Sequence, residues 1–207
     1  MLQVKQILST VFTSNMYLVF DDDYDYCWLV DIGDFQSVAD VLPAGMKIRG
    51  VFLTHAHFDH IYGVNALFQA FPECRVYTSK YGRESLYDDK KNLSLYHESS
   101  VVFHGKDVVV LKENDYVEFF PKVFFSVYET PGHNTGCLTY QIQDWVFTGD
   151  SFIPGVKVVS KLPTGDRQLA KLSLYKILDL SIGRIICPGH GEMIHFDELR
   201  EHKENYI

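Results

Sequence analysis

Four metal-capable side chains fall within six residues of one stretch. Residues 50–60 read Gly-Val-Phe-Leu-Thr-His-Ala-His-Phe-Asp-His and carry His55, His57, Asp59 and His60. Imidazole and carboxylate groups bind zinc and other divalent first-row ions. Alternate residues of an extended chain point the same way, so His55 and His57 can address one metal. A tighter turn after them lets Asp59 and His60 address a second. Isolated histidines are mostly ordinary surface or core residues. Three of the chain's nine, packed beside an aspartate and directly after the apolar run Val51-Phe52-Leu53, point to a metal site.

Three later fragments repeat the same grammar of strand, glycine-containing turn and ligand. Val127 to His133 presents His133, Val146 to Asp150 presents Asp150, and Ile185 to Gly191 presents His190. Glycine beside a ligand permits backbone conformations and close approaches that a side chain would block. Any one fragment alone reads as a common strand-end turn. Four in series, each after an apolar strand, are not easily produced by core packing.

The elements that must position these residues follow from periodicity. Residues 2–20 read as strand, turn, strand, and Asp21 to Asp25 as a polar turn. Cys27 to Val30 is a further strand. Asp34 is placed to cap a helix running to about Leu42, which Pro43 and Gly45 stop. Arg49 to Leu53 is the strand feeding the ligand stretch, and Ile61 to Phe71 has helical spacing. Val76 and Tyr77 form a short strand, and Ser79 caps a helix to about Asp89. Between residues 107 and 148 strand signals dominate: Val108 to Leu111, Tyr116 to Phe119, Val123 to Tyr128, Cys137 to Ile142 and Trp145 to Thr148. Residues 151–165 read as a loop. Asp166 to Leu180 reads as a helix with Leu169, Leu172, Leu174, Ile177 and Leu178 available for packing. Arg184 to Cys187 is a final strand, and Phe196 to about Glu204 a terminal helix. Strand blocks flanked by helices in each half suggest two packed sheets with helices outside.

Composition narrows the class. The 207 residues suit one domain, residues 1–207, with a sizeable core. A net charge of −8 argues against nucleic acid as a partner, since phosphate binding normally needs a basic face. No apolar run approaches the ~20 residues of a membrane span, and the N-terminus lacks the apolar core of a signal peptide. Cys27, Cys74, Cys137 and Cys187 are far apart and form no CxxC pair, as expected of small buried hydrophobes in a reducing cytoplasm.

In combination the four ligand fragments resemble the metallo-β-lactamase superfamily. HAHFDH at 55–60 is similar to its HxHxDH signature, and TPGH at 130–133, TGD at 148–150 and PGHG at 188–191 match its later ligand motifs in order. The resemblance covers nearly the whole chain. It implies an α+β fold, an αβ/βα four-layer sandwich with the metals at one edge between the sheets. It also implies a ligand set: His55, His57 and His133 on one metal, Asp59, His60 and His190 on the other, and Asp150 bridging. Zinc is the default, with iron or manganese able to take the same donors.

The chemistry implied is hydrolysis. Metal-held water is acidic enough to be a nucleophile at neutral pH, and Asp59 can orient it as the catalytic carboxylate as well as ligate. Aspartate at position 150 is similar to the thioesterase, lactonase and phosphodiesterase branches, whereas true β-lactamases place Cys or Ser there. The short glyoxalase II-like (hydroxyacylglutathione hydrolase-like) proteins are the nearest resemblance, which implies a small-molecule thioester or ester as substrate. The turn Pro163-Thr164-Gly165-Asp166 matches theirs, but Val159 stands where they carry a cation for the thiol carrier, flanked by Lys157 and Lys161. A lactonase or phosphodiesterase, and a mononuclear iron persulfide dioxygenase-like oxidoreductase, are the competing readings. The remaining histidines, His97, His104, His195 and His202, match no ligand motif and are expected at the surface or in supporting roles.

Overall fold

The computed structural model describes residues 1–199. The chain forms two compact units, Met1–Val110 and Leu111 onward, and holds two mixed sheets of six strands each.

The first sheet runs in sequence order: β1 (Leu2–Leu8), β2 (Asn15–Asp21), β3 (Tyr26–Val30), β4 (Lys47–Phe52), β5 (Arg75–Ser79) and β6 (Val108–Leu111). β1 alternates, with Gln3 and Lys5 exposed, as an edge strand should. All five residues of β3 are buried. β1, β2 and β3 pair antiparallel, whereas β3, β4 and β5 pair parallel, so the C-terminal ends of β3 and β4 come side by side. Helices α1 (Phe35–Ala39), α2 (Phe58–Ile61), α3 (Val64–Ala70) and α4 (Lys80–Leu86) accompany this sheet, and a 3-10 turn covers Ser94–Tyr96. The core joins Leu18, Leu29, Val51 and Val76 of the strands to Val38, Ile61, Val64, Leu67 and Leu86 of the helices.

The second sheet runs β12-β11-β10-β9-β8-β7, made of β7 (Tyr116–Phe120), β8 (Val123–Glu129), β9 (Leu138–Ile142), β10 (Trp145–Gly149), β11 (Ile185–Pro188) and β12 (Ile194–His195). Only β10 and β11 are parallel, with Gly149 paired to Pro188. That pairing sets the residues after both strands next to each other. Helix α5 (Arg167–Leu180) and the short α6 (Phe196–Leu199) pack Leu174, Ile177, Phe196 and Leu199 with Ile186 and Phe152.

Several boundaries differ from the sequence expectation, each for a local reason. α1 starts as expected, with Asp34 accepting from the Gln36 amide, but ends at Ala39. Pro43 disfavours helical geometry in Leu42, and the Val41 and Leu42 amides share Val38 O as the last turn tightens. The expected helix Ile61 to Phe71 is two helices. Ile32 donates to His60 O and accepts from Gly63 N, and the break at Gly63 lets the chain pass within side-chain distance of the Phe35 amide, where a Cβ would sit 2.6 Å from it. α4 stops at Leu86, and the Asp88 carboxylate then accepts from the Lys90 and Lys91 amides, a turn that competes with helix. On α5 the buried stripe is Ala170, Ser173, Leu174 and Ile177, so Leu169 and Leu172 fall on its exposed flank. β12 lies in a stretch that sequence periodicity did not mark, and of the helix expected from Phe196 to about Glu204 the structure describes Phe196–Leu199, the rest of the expected span lying outside the described residues.

Candidate metal centre

His55, His57, Asp59 and His60 follow β4 on a short loop and the start of α2. His57 is the residue before the helix, and its carbonyl accepts the His60 amide at 3.0 Å, so the single turn places Asp59 and His60. His55, His57 and His60 are buried. The rings of His55 and His60 lie 4.2 Å apart and those of His55 and His57 4.7 Å.

The orientation of two of these rings comes from a residue that belongs to none of the four ligand fragments. Asp31 follows β3, is 1% exposed and sits in the left-handed region at φ 59°. Its carboxylate accepts from the Thr54 amide at 2.8 Å, the Thr54 hydroxyl at 2.7 Å and His60 Nδ1 at 2.9 Å. The Thr54 hydroxyl in turn lies 3.2 Å from His55 Nδ1. One buried carboxylate therefore holds His60 directly and His55 through Thr54. With the Nδ1 protons engaged, Nε2 is the nitrogen that each ring would offer to a metal. Burial pushes the Asp31 carboxyl up, and the opposing pull of His60 and the Thr54 donors offsets only part of the rise. The signal in the sequence was an acidic residue immediately after a wholly apolar strand, where a charge is kept only for partners.

In the second unit His133, Asp150 and His190 stand on turns tied to one another. Gly189 N donates to Gly149 O at 2.9 Å, and Ser151 Oγ donates to Thr130 O at 2.8 Å. Ser173 of α5 donates to Pro131 O at 2.6 Å. His133 Nδ1 faces the carbonyl of Val159 at 2.8 Å, so Nε2 is again the nitrogen that the ring would offer to a metal. Asp150 Oδ2 lies 3.6 Å from His133 Nε2 and 3.7 Å from His190 Nε2, and His60 Nε2 lies 3.6 Å from Asp59 Oδ2.

These separations test the fit to a metal. They exceed a normal hydrogen bond, whereas two donors each ~2.1 Å from one ion at tetrahedral angles are about 3.4 Å apart. Histidine and aspartate donor atoms gather in sets within 4.8 Å of one another, the spacing that a metal ion needs. All seven residues singled out in the sequence are in these sets, and an all-oxygen-and-imidazole donor set suits divalent first-row ions.

The other histidines lie elsewhere. His97 stacks on Phe58 at 3.6 Å between ring centres, His195 pairs with Asp197 at 3.6 Å, and the His104 amide bonds Asn65. His202 lies outside the described residues.

Two mixed sheets with helices, carrying His and Asp donors on the turns that follow their strands, define a metallo-hydrolase class of protein. The sequence profile of the metallo-β-lactamase superfamily matches residues 9–190. The chain belongs to the metallo-β-lactamase superfamily, and its fold is that family's α/β sandwich. A hydroxyacylglutathione hydrolase of Hamiltonella defensa subsp. Acyrthosiphon pisum (strain 5AT) is 31% identical over 179 residues, 86% of this chain. The alignment spans 62% of that relative's length. Among solved structures, the BLEG-1 B3 metallo-β-lactamase superposes with a TM-score of 0.87 at 28% identity, covering 97% of each chain. TTHA1623 in a di-iron-bound form superposes with a TM-score of 0.78 at 26% identity, covering 95% of this chain and 96% of that one.

Proposed function

We propose that the chain is a dinuclear metal-dependent hydrolase that cleaves a small thioester or related ester. The observation that carries this reading is Asp150 Oδ2, 3.6 Å from His133 Nε2 and 3.7 Å from His190 Nε2. One carboxylate oxygen between two imidazoles suits a ligand shared by two ions. In this reading His55, His57 and His133 hold one ion, and Asp59, His60 and His190 the other. Residues 1–207 then act as one metallo-β-lactamase-like domain. Zinc is the default occupant, and the di-iron form of a structural relative supports iron as an alternative.

Ions held there supply a nucleophilic water at neutral pH and polarise the scissile carbonyl. The residues do the rest. Asp59 accepts a hydrogen bond from the water and aims it at the carbonyl carbon. Asp31 and Thr54 fix the His60 and His55 rings, and the Val159 carbonyl fixes His133. No side-chain nucleophile is called for, and all four cysteines are buried. Four buried free thiols also suit a reducing cytoplasm. A thiolate leaves without protonation, so a thioester needs no general acid where an amide would.

The carrier is read from the loop after Asp150. Glutathione carries carboxylates, whose recognition in a wet groove needs positioned cations. Val159 supplies none, and Lys157 and Lys161 are exposed on either side. The enzyme therefore discriminates poorly in favour of glutathione thioesters. The likeness to a B3 metallo-β-lactamase favours β-lactam hydrolysis as the second reading. The test is a panel on metal-loaded protein: lactoylglutathione, a thioester of a small neutral thiol, a lactone, a phosphodiester and a cephalosporin. Fastest turnover on the neutral thioester is expected. Cephalosporin turnover rivalling it would favour the second reading, and one iron per chain with oxygen consumption would overturn hydrolysis altogether.

A further inference from the structure

His133 differs from His55 and His60 in what holds its ring. Those two lean on Thr54 and Asp31, which are 2% and 1% exposed and belong to the core of their unit. His133 Nδ1 leans instead on the main-chain carbonyl of Val159, a residue 50% exposed in a stretch between β10 and α5 that contains no helix or strand. We infer that this loop sets the affinity of one of the two metal ions, with Val159 acting through its carbonyl as a positioning residue for His133. The inference rests on the dinuclear centre proposed above.

The loop is built to hold that carbonyl still. Its end is stitched to the turn that carries His133 on both sides of the histidine: Asp166 N donates to Gly132 O at 2.9 Å, and Thr135 N donates to the Thr164 hydroxyl at 3.3 Å. Thr164 sits at φ 65°, a conformation that a β-branched residue adopts only under constraint from its surroundings. Gly165 closes the turn by donating to Leu162 O at 2.9 Å. A Cβ at Gly165 would stand 2.6 Å from the Ser160 carbonyl oxygen, in the peptide next to Val159. A Cβ added at 165 is thus a handle on the peptide beside the Val159 carbonyl.

The consequence is a linkage. Metal ligation by His133 favours the loop conformation that presents the Val159 carbonyl. Any substrate that favours the same conformation must tighten the ion, by the same factor as the ion tightens the substrate. The ion beside His133 is the one whose retention depends on a surface loop. The ion beside His60 depends on the buried Asp31.

The test measures zinc alone, by competition with a chromophoric chelator that resolves two binding steps. Gly165→Ala should weaken one step about 10–100-fold, the usual cost of losing a partner that orients a ligand, and leave the other within about twofold. Thr164→Val, which exchanges the hydroxyl for a methyl group and keeps the branched shape, should weaken the same step by a smaller factor while the melting temperature of the metal-free protein stays unchanged. It carries the test if Gly165→Ala does not fold. Val159→Ala keeps the carbonyl and should leave both steps within about twofold. Two steps that survive both loop variants, or that fall together, would overturn this inference alone. Wild-type protein that binds no zinc would sink the proposed function with it.

Discussion

Asp31→Asn isolates the work of one buried carboxylate. Asparagine tolerates the left-handed conformation that Asp31 adopts at φ 59°, so the backbone is not the perturbed element. The amide oxygen can still accept from the Thr54 amide. The amide nitrogen now faces the Thr54 hydroxyl and His60 Nδ1, which lie 2.7 and 2.9 Å from Asp31 Oδ2. The hydroxyl can rotate and accept. The imidazole N–H cannot, and a buried donor facing a donor costs about 1–3 kcal/mol. His60 escapes that cost by moving its proton to Nε2, the nitrogen that should bind metal. Metal affinity on the His60 side should therefore fall about 10–100-fold, equal to about 1.4–2.7 kcal/mol. Chelator competition on zinc-loaded protein measures it, with circular dichroism to show that the sheet is intact. Affinity within about twofold of wild type in a folded variant would refute the argument that Asp31 dictates the tautomer.

Further outcomes follow from the same geometry. His57→Ala should lose metal and nearly all activity yet remain folded, because the core around Leu18, Leu29, Val51 and Ile61 does not depend on an ion; unfolding of this variant at room temperature would contradict that. Asp34→Ala should lower stability by about 1 kcal/mol through loss of the α1 cap, read from the urea midpoint. Burial works against the charged Asp34, but bonds from Thr10, Ser37 and Gln36 win and hold its carboxyl below the usual range. Its contribution is thus present above the unfolded carboxylate pKa and lost as pH falls through the depressed folded value, and the wild-type and Asp34→Ala stabilities should converge in acid. Burial pushes the Cys27 and Cys74 thiols up to about 12 and Cys187 well above its ordinary value. A disulfide reagent at pH 8 should therefore label no cysteine in native protein and all four in denaturant.

The candidate ligands stand out in the sequence because each is a polar, metal-capable residue thrown off the end of an apolar strand, a pattern that packing does not generate. What supports them does not. Asp31 sits one residue past β3 like any strand-ending aspartate, and its importance appears only when parallel pairing sets the end of β3 beside the end of β4. The Val159 carbonyl has no side-chain signature at all. Helix α5 was visible from Asp166 and its apolar spacing, but Leu169 and Leu172 read as core because periodicity cannot tell the middle of a buried stripe from its edge. The break between α2 and α3 was hidden because Ile61, Val64 and Leu67 keep helical spacing across it, while its cause, the Ile32 peptide, lies far upstream.

That Ile32 peptide has a kinetic consequence. Its N–H is given to His60 and its carbonyl takes the Gly63 N–H, so the backbone just after Asp31 is clasped to both ends of the turn bearing His60. Neither the strand end nor the ligand turn can open without the other. Their amides should exchange with solvent deuterium as one slow group, through a shared opening rather than by separate local fraying. A hydroxyl group reinforces the clasp from a third direction: Ser14 Oγ donates to the Asp59 carbonyl at 2.6 Å. The ligand-bearing turn thereby inherits the lifetime of the sheet beneath it, and metal can leave without the turn losing its shape.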